Sequence, residues 1–209
     1  IATDGGGINI LDFQTMKFSY LKHISDDEQS LPNNSIYRLY KDQMDNIWIG
    51  SIHGGLFAIK KVFIKTYKDV PLNNPNGVSE RTVVSIFEDK DTLLWIGTDG
   101  GGINSFDQKT NTFHHYPTTY GEKVTSITDF SENELLLSCF NKGVFTFNKR
   151  TAQMQPFPII NDSISKREFS SGDLVNLYAT KDNIYILGAK VYIYNKHTRQ
   201  TSILYAPQI

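Results

Sequence analysis

The sequence predicts an all-β fold built from a repeated four-stranded unit, and three observations carry that prediction. The string TDGGGIN occurs twice, at Thr3–Asn9 and at Thr98–Asn104. The hydrophobic residue that follows each glycine turn recurs at Ile8, Leu56, Ile103, Val144 and Val191, in steps of 48, 47, 41 and 47. The segments between the turns are short, β-branched or aromatic, and alternate polar with apolar, as in Thr82–Phe87. They are bounded by Gly, Asn, Asp or Pro, and no stretch shows a helical period.

Each repeat carries the same internal spacing. A second anchor lies in Ile47–Ser51, Leu94–Thr98, Leu135–Cys139 and Ile184–Gly188, and a third precedes these at Leu39, Ile86, Ile127 and Leu177. We label the strands of a unit A (as in SIFED), B (LWIGT), C (GINSF) and D (TFHHY). Four strands per unit of about 47 residues match a β-propeller blade, whose sheet buries its faces against neighbouring blades. The glycine turn joins B to C, where a tight hairpin requires positive φ angles. A phosphate cradle would look different: GGGI does not match G-x-G-x-x-G, no G-K-[ST] follows, and no helix begins there. Trp48 and Trp95 share one B-strand position, occupied by Leu136 and Tyr185 in the later units, which points to packing between blades.

Two units read as Asn34-Ser35-Ile36…Leu39…Asp42…Ile47-Trp48-Ile49-Gly50…Gly54-Gly55-Leu56 and Val83…Ile86…Glu88-Asp89…Leu94-Trp95-Ile96-Gly97-Thr98-Asp99-Gly100-Gly101-Gly102-Ile103…Phe106-Asp107. This pattern resembles the two-component regulator propeller repeat. The resemblance implies the periplasmic sensor region of an inner-membrane hybrid two-component protein, often one that senses oligosaccharides. It also implies a histidine kinase elsewhere in the protein and a homodimer partner. It spans the chain but is weaker in the last two units, where Trp-Ile-Gly becomes Leu136-Leu137-Ser138 and Tyr185-Ile186-Leu187.

Ile1-Ala2-Thr3 aligns with Ile96-Gly97-Thr98, so the first unit opens within strand B. The expected divisions are a partial blade at 1–23 and blades at about 24–68, 69–117, 118–158 and 159–206. That makes about four and a half blades, with open strand edges and apolar faces that suit a segment of a larger propeller of about seven blades. At 209 residues and 39% hydrophobic, the chain can bury a sizeable core. Its 21 basic and 22 acidic residues are spread without a basic stripe, which argues against nucleic acid. No apolar run is long enough for a spanning helix and no signal-peptide pattern opens the chain, so any targeting or membrane segment is expected outside it. The single Cys139 excludes an internal disulfide and a cysteine-cluster metal site.

Alternation of strand direction brings the B–C turns and D–A connections to one face. The D–A connections vary: Leu39 follows Tyr20 by 19 residues, Ile86 follows Tyr67 by 19, Ile127 follows Tyr116 by 11, and Leu177 follows Phe157 by 20. Variable loops on a fixed scaffold are where recognition resides. On this face lie His53, Asp99, Asn141 and Lys142 in turns, with Asn34, Tyr37, Arg81, Tyr120 and Arg167 along the connections and their ends. Asp4, Asn33, Glu80, Lys123 and Asp173 join them. Hydrogen-bonding side chains with Tyr37 or Tyr120 as a stacking platform suit an oligosaccharide, while each Asn or Asp taken singly also suits a turn.

No catalytic residues, cofactor or metal are expected of this segment. His23, His53, His114, His115 and His197 fall at scattered offsets, with His114 and His115 on opposite faces of a strand. Asp26-Asp27-Glu28 lacks the spacing of a cation loop, and there is no G-x-S-x-G. A glycan hydrolase or lyase, or a propeller that binds only proteins, remains as an alternative, because fold does not dictate function.

Overall fold

The computed structural model of the chain describes residues 1–27, 30–60, 63–72, 74–158, 176–188 and 190–204. Among them, nineteen strands form five antiparallel sheets. The first sheet has three strands, β1 (Ala2–Thr3), β2 (Gly7–Asp12) and β3 (Lys17–Leu21). The second joins β4 (Ile36–Lys41), β5 (Ile47–Ser51), β6 (Gly55–Lys60) and β7 (Phe63–Tyr67). The third joins β8 (Val83–Glu88), β9 (Leu93–Thr98), β10 (Ile103–Asp107) and β11 (Thr112–His115). The fourth joins β12 (Val124–Ser131), β13 (Glu134–Cys139), β14 (Gly143–Asn148) and β15 (Met154–Pro156). The fifth joins β16 (Asn176–Ala179), β17 (Asn183–Leu187), β18 (Val191–Asn195) and β19 (Thr201–Leu204). Every sheet is laid down in chain order, as short hairpins require, and the architecture is a run of β-propeller blades.

The core lies between sheets. Trp48 of the second sheet packs with Tyr67 against Val83, Leu94, Phe106 and Phe113 of the third. Trp95 of the third packs with Tyr116 against Val124, Leu135, Leu137 and Phe147 of the fourth. The two indoles therefore fill equivalent inter-sheet positions, and both are essentially inaccessible. Burying such a ring stabilises each junction by roughly 3 kcal/mol, which no single sheet achieves alone. Cys139 sits in the same layer, and burial pushes its thiol pKa up to about 12, so it is a packing residue.

The turns opposite the glycine face rest on repeated side-chain chemistry. Asp42 and Asp89 each lie six residues before a tryptophan. One carboxylate oxygen of Asp42 accepts the amides of Met44 and Asn46 (2.9 and 2.8 Å), and the other accepts the Trp48 indole N–H (2.7 Å). Asp89 does the same with Asp91, Leu93 and Trp95 (3.0, 3.2 and 2.9 Å). Burial opposes ionisation of both carboxyls, but the bonds from Asn46 and Trp48, and from Trp95 and Lys149, outweigh it and hold both pKa values below normal. The C–D turns use Asp12, Asp107, Asn148 and Asn195, whose Oδ1 accepts the amides two and three residues on.

The first strands of successive sheets, β4, β8, β12 and β16, pack against one another and form the inner wall. In β4, β8 and β12 a bulge shifts the register between Ile36 and Arg38, Val83 and Ser85, and Val124 and Ser126. A repeated bulge re-aims the next side chain. The Ser85 hydroxyl donates to the Val124 carbonyl (2.7 Å), and the Ser126 hydroxyl accepts the Leu177 amide (3.0 Å). Arg38 reaches farther: Nε donates to the Val84 carbonyl (2.9 Å), and Nη2 to the Thr125 carbonyl (3.2 Å) and Asn176 Oδ1 (3.1 Å). One guanidinium thus links four sheets.

Candidate functional site

The face formed by B–C turns and D–A connections is built on backbone conformation. Gly5 and Gly7 have φ of 79° and 74°, and Gly100 and Gly102 have 101° and 71°. In the diverged turns, His53 (59°) and Gly55 (82°), and Asn141 (61°) and Gly143 (98°), hold the same two positions. The amide of the last glycine then crosses to the connection entering the next sheet: Gly7 to the Asn34 carbonyl (2.8 Å), Gly55 to Arg81 (2.6 Å), Gly102 to Glu122 (3.2 Å). Thr3 and Thr98 hydroxyls brace the hairpins by donating to the Gly7 and Gly102 carbonyls, both at 2.8 Å. A side chain at Gly102 would run into Thr119. The glycine motif is repeated because each copy ties one blade to the next.

This geometry gives His53 and Asn141 a turn role, since His and Asn are the residues that best tolerate left-handed backbone. Both remain exposed on the face. His53 borders a hollow of about 530 Å³ with Asn33, Ser35, Gly54, Lys68 and Asp69. Its amide meets the Thr82 hydroxyl at 3.3 Å. Arg81 is exposed beside it. Asn34 is a linker: Oδ1 accepts the His23 amide (2.7 Å) while its carbonyl holds Gly7.

A second hollow of about 360 Å³ brings together Asp99, Tyr120, Glu80, Ser79, Leu72 and Gly101. Asp99 pairs with Lys123 at 2.8 Å. The Tyr120 hydroxyl is enclosed without a hydrogen-bond partner among the described residues, and burial raises its pKa. Lys142 lies one sheet on, paired with Glu122 at 2.6 Å. Tyr37 sits at the β4 bulge, 39% exposed. Of the predicted residues that are described, Asp99 and Tyr120 meet, while His53, Tyr37 and the Asn141–Lys142 turn stand at separate stations. Arg167 and Asp173 lie outside the described residues. Among those residues, no three His, Cys, Asp or Glu side chains converge as a metal site would require.

Arg38 was not among the residues predicted for the face. Its signal is present in the sequence: Arg38, Ser85, Ser126 and Asn176 each directly precede the third anchor, and all four are polar. A hollow of about 850 Å³ lies instead on the opposite face between the fourth and fifth sheets.

The family model of the two component regulator propeller matches residues 30–53 and 77–100. Among solved structures, the extracellular domain of a putative hybrid two component system from B. thetaiotaomicron matches at 22% identity and a TM-score of 0.75, over 96% of this chain and 27% of that one. The extracellular domain of a putative one component system from the same organism matches at 21% and 0.52, over 97% and 36%. Virginiamycin B lyase from Staphylococcus aureus matches at 16% and 0.67, over 98% and 64%. A sequence search of curated proteins returns no match. The chain spans about a quarter to a third of the two extracellular domains and shares their fold. The matched units are those around Trp48 and Trp95, whose sheets carry the indole, carboxylate and glycine-turn pattern described above. Residues 30–53 and 77–100 therefore match the two component regulator propeller repeat, and the chain folds as successive blades of a β-propeller.

Proposed function

We propose that this chain is part of the periplasmic, ligand-sensing propeller of a hybrid two-component sensor. The sensor recognises an oligosaccharide on the B–C/D–A face and passes the signal to a histidine kinase elsewhere in the protein. The observation that carries this reading is the regulator-propeller repeat folded into blades like those of the extracellular domain of a putative hybrid two component system. The polar hollows holding Asp99, Glu80 and Tyr120, and His53 and Asn33, supply donors and acceptors for sugar hydroxyls. Each such bond adds only about 0.5–1.5 kcal/mol net, so affinity is modest and depends on contacts from several blades and on stacking with Tyr37 or Tyr120. Signalling requires the ligand to favour one arrangement of the propeller or of its homodimer, because equal affinity for two states shifts nothing.

The test is calorimetric titration of the full-length sensor with candidate oligosaccharides, using His53→Ala, Arg81→Ala and Asp99→Asn. Affinity should fall about 5- to 10-fold in at least one variant, the loss of roughly one net hydrogen bond. Unchanged binding in all three, together with loss on altering the opposite-face residues Asp107 or Lys109, defeats the assignment. A second reading is a propeller enzyme acting on glycans, since a lyase also has this fold; product formation from the same oligosaccharides would select it.

A further inference from the structure

The three aromatic junctions of the propeller are built on one plan with one exception. A D-strand end and a C-strand ring meet in each: Tyr67 with Phe106 (centroids 5.0 Å), Tyr116 with Phe147 (5.2 Å) and Phe157 with Tyr194 (4.9 Å). In the first two, a tryptophan closes the triangle, Trp48 at 5.4 Å from Phe106 and Trp95 at 5.4 Å from Tyr116. Its indole N–H then reaches the turn carboxylate below. Between the fourth and fifth sheets the tryptophan is Leu136, and the carboxylate position six residues earlier is Phe130. Phe130 joins the ring pair at 5.3 Å from Phe157 but sits at the turn, and Leu136 cannot reach outward as an indole does.

Beside these rings lies a groove of about 850 Å³, a volume typical of small-ligand sites. Phe130, Phe157 and Tyr194 line its aromatic side. Its polar rim carries two cations, Lys196 and Arg199, from the turn between β18 and β19. Neither has an ion pair among the described residues. Arg199 occupies the turn position of Asn111, which at the junction of the second and third sheets is held by Lys65 (2.6 Å) and Tyr67 (2.9 Å). The rim carboxylate, Glu134, accepts the Ser131 hydroxyl (3.2 Å).

The geometry points to this groove as a binding site for a small aromatic carboxylate. The ligand's ring packs against Phe130, Phe157 and Tyr194, and its carboxylate meets Lys196 and Arg199 at the rim. Edge-to-face packing favours a planar ring among these three side chains, and two unpaired cations favour a negative substituent over a neutral one. The site faces away from the B–C/D–A hollows, so its occupancy is independent of the oligosaccharide reading.

Indole-3-acetate is the probe, titrated calorimetrically into the full chain, with neutral indole alongside. The acid should bind saturably, and indole about 10-fold more weakly. Lys196→Glu with Arg199→Glu, changes confined to one turn, should weaken the acid at least 10-fold. The pair Phe130→Asp with Leu136→Trp rebuilds the arrangement of the other junctions and should abolish binding. If that pair fails to fold, the turn variant decides alone. No saturable signal up to about 10 mM, equal binding of indole, or binding unchanged by the turn variant overturns the proposal.

Discussion

The junctions around Trp48 and Trp95 differ from the junction around Leu136 by one ring and one carboxylate. In the tryptophan junctions the indole does two things at once. It fills the space between sheets and satisfies its N–H on an aspartate that also caps the adjoining turn. Packing and turn geometry are therefore coupled, and loss of either side chain disturbs both. Around Leu136 the two tasks are separate: an apolar side chain packs, and Phe130 joins the aromatic cluster and lines a groove on that face. A repeat scaffold tolerates this because each blade contacts only its neighbours, so one junction can be relaxed without loss of the others.

The largest effect that would test this contrast comes from the ring itself. Trp95→Ala should destabilise by about 3–5 kcal/mol in denaturant titration, and Leu136→Ala by about 2–5 kcal/mol. A Trp95→Ala cost below 1 kcal/mol would show that the indole is not the centre of its junction.

Next is the carboxylate. Asp89→Ala leaves the indole N–H and the largely buried Lys149 without their 2.9 and 3.0 Å partner, and should cost about 2–3 kcal/mol. Because the folded pKa of Asp89 is depressed, its contribution is fully present above the ordinary carboxylate pKa and is lost as pH falls through the folded value. Stability measured from pH 7 into the acid range should therefore fall less steeply in the variant than in the parent. Phe130→Asp alone, with no indole to meet it, should not restore such a dependence.

The glycine turns offer smaller effects. Gly102→Ala combines a positive φ with a collision against Thr119 and should cost about 2 kcal/mol, while Gly100→Ala, with φ of 101° and open space, should cost about 1 kcal/mol. Equal costs would remove the link between the turn and the following connection. Smallest of all, His53→Gly should change stability by less than about 0.5 kcal/mol, because glycine relieves the left-handed backbone that His53 holds. Any large fall in oligosaccharide affinity in that variant would then report on the imidazole and not on the turn.

Much of the fold was legible in the residues because a repeat states its rule several times. The anchors at Ile8, Leu56, Ile103, Val144 and Val191 place strand C in every sheet, and the Gly, Asp and Asn punctuation places the turns. Equivalence of Trp48 and Trp95 followed from spacing alone, and the structure sets both between sheets. These are local or periodic properties, determined by side-chain alternation and by which residues accept positive φ. The partners were not legible. No spacing announces that Asp42 and Asp89 hold an indole, or that Arg38 reaches carbonyls 46 and 87 residues away. Nor does any composition distinguish His53 as a turn residue from His53 as a ligand group, since the same position serves both. Pairing between blades depends on how the sheets stack in three dimensions. Repetition made the blades readable, and their stacking decided which side chains meet, where a hydroxyl such as that of Tyr120 is left without a partner among the described residues, and which junction borders a groove.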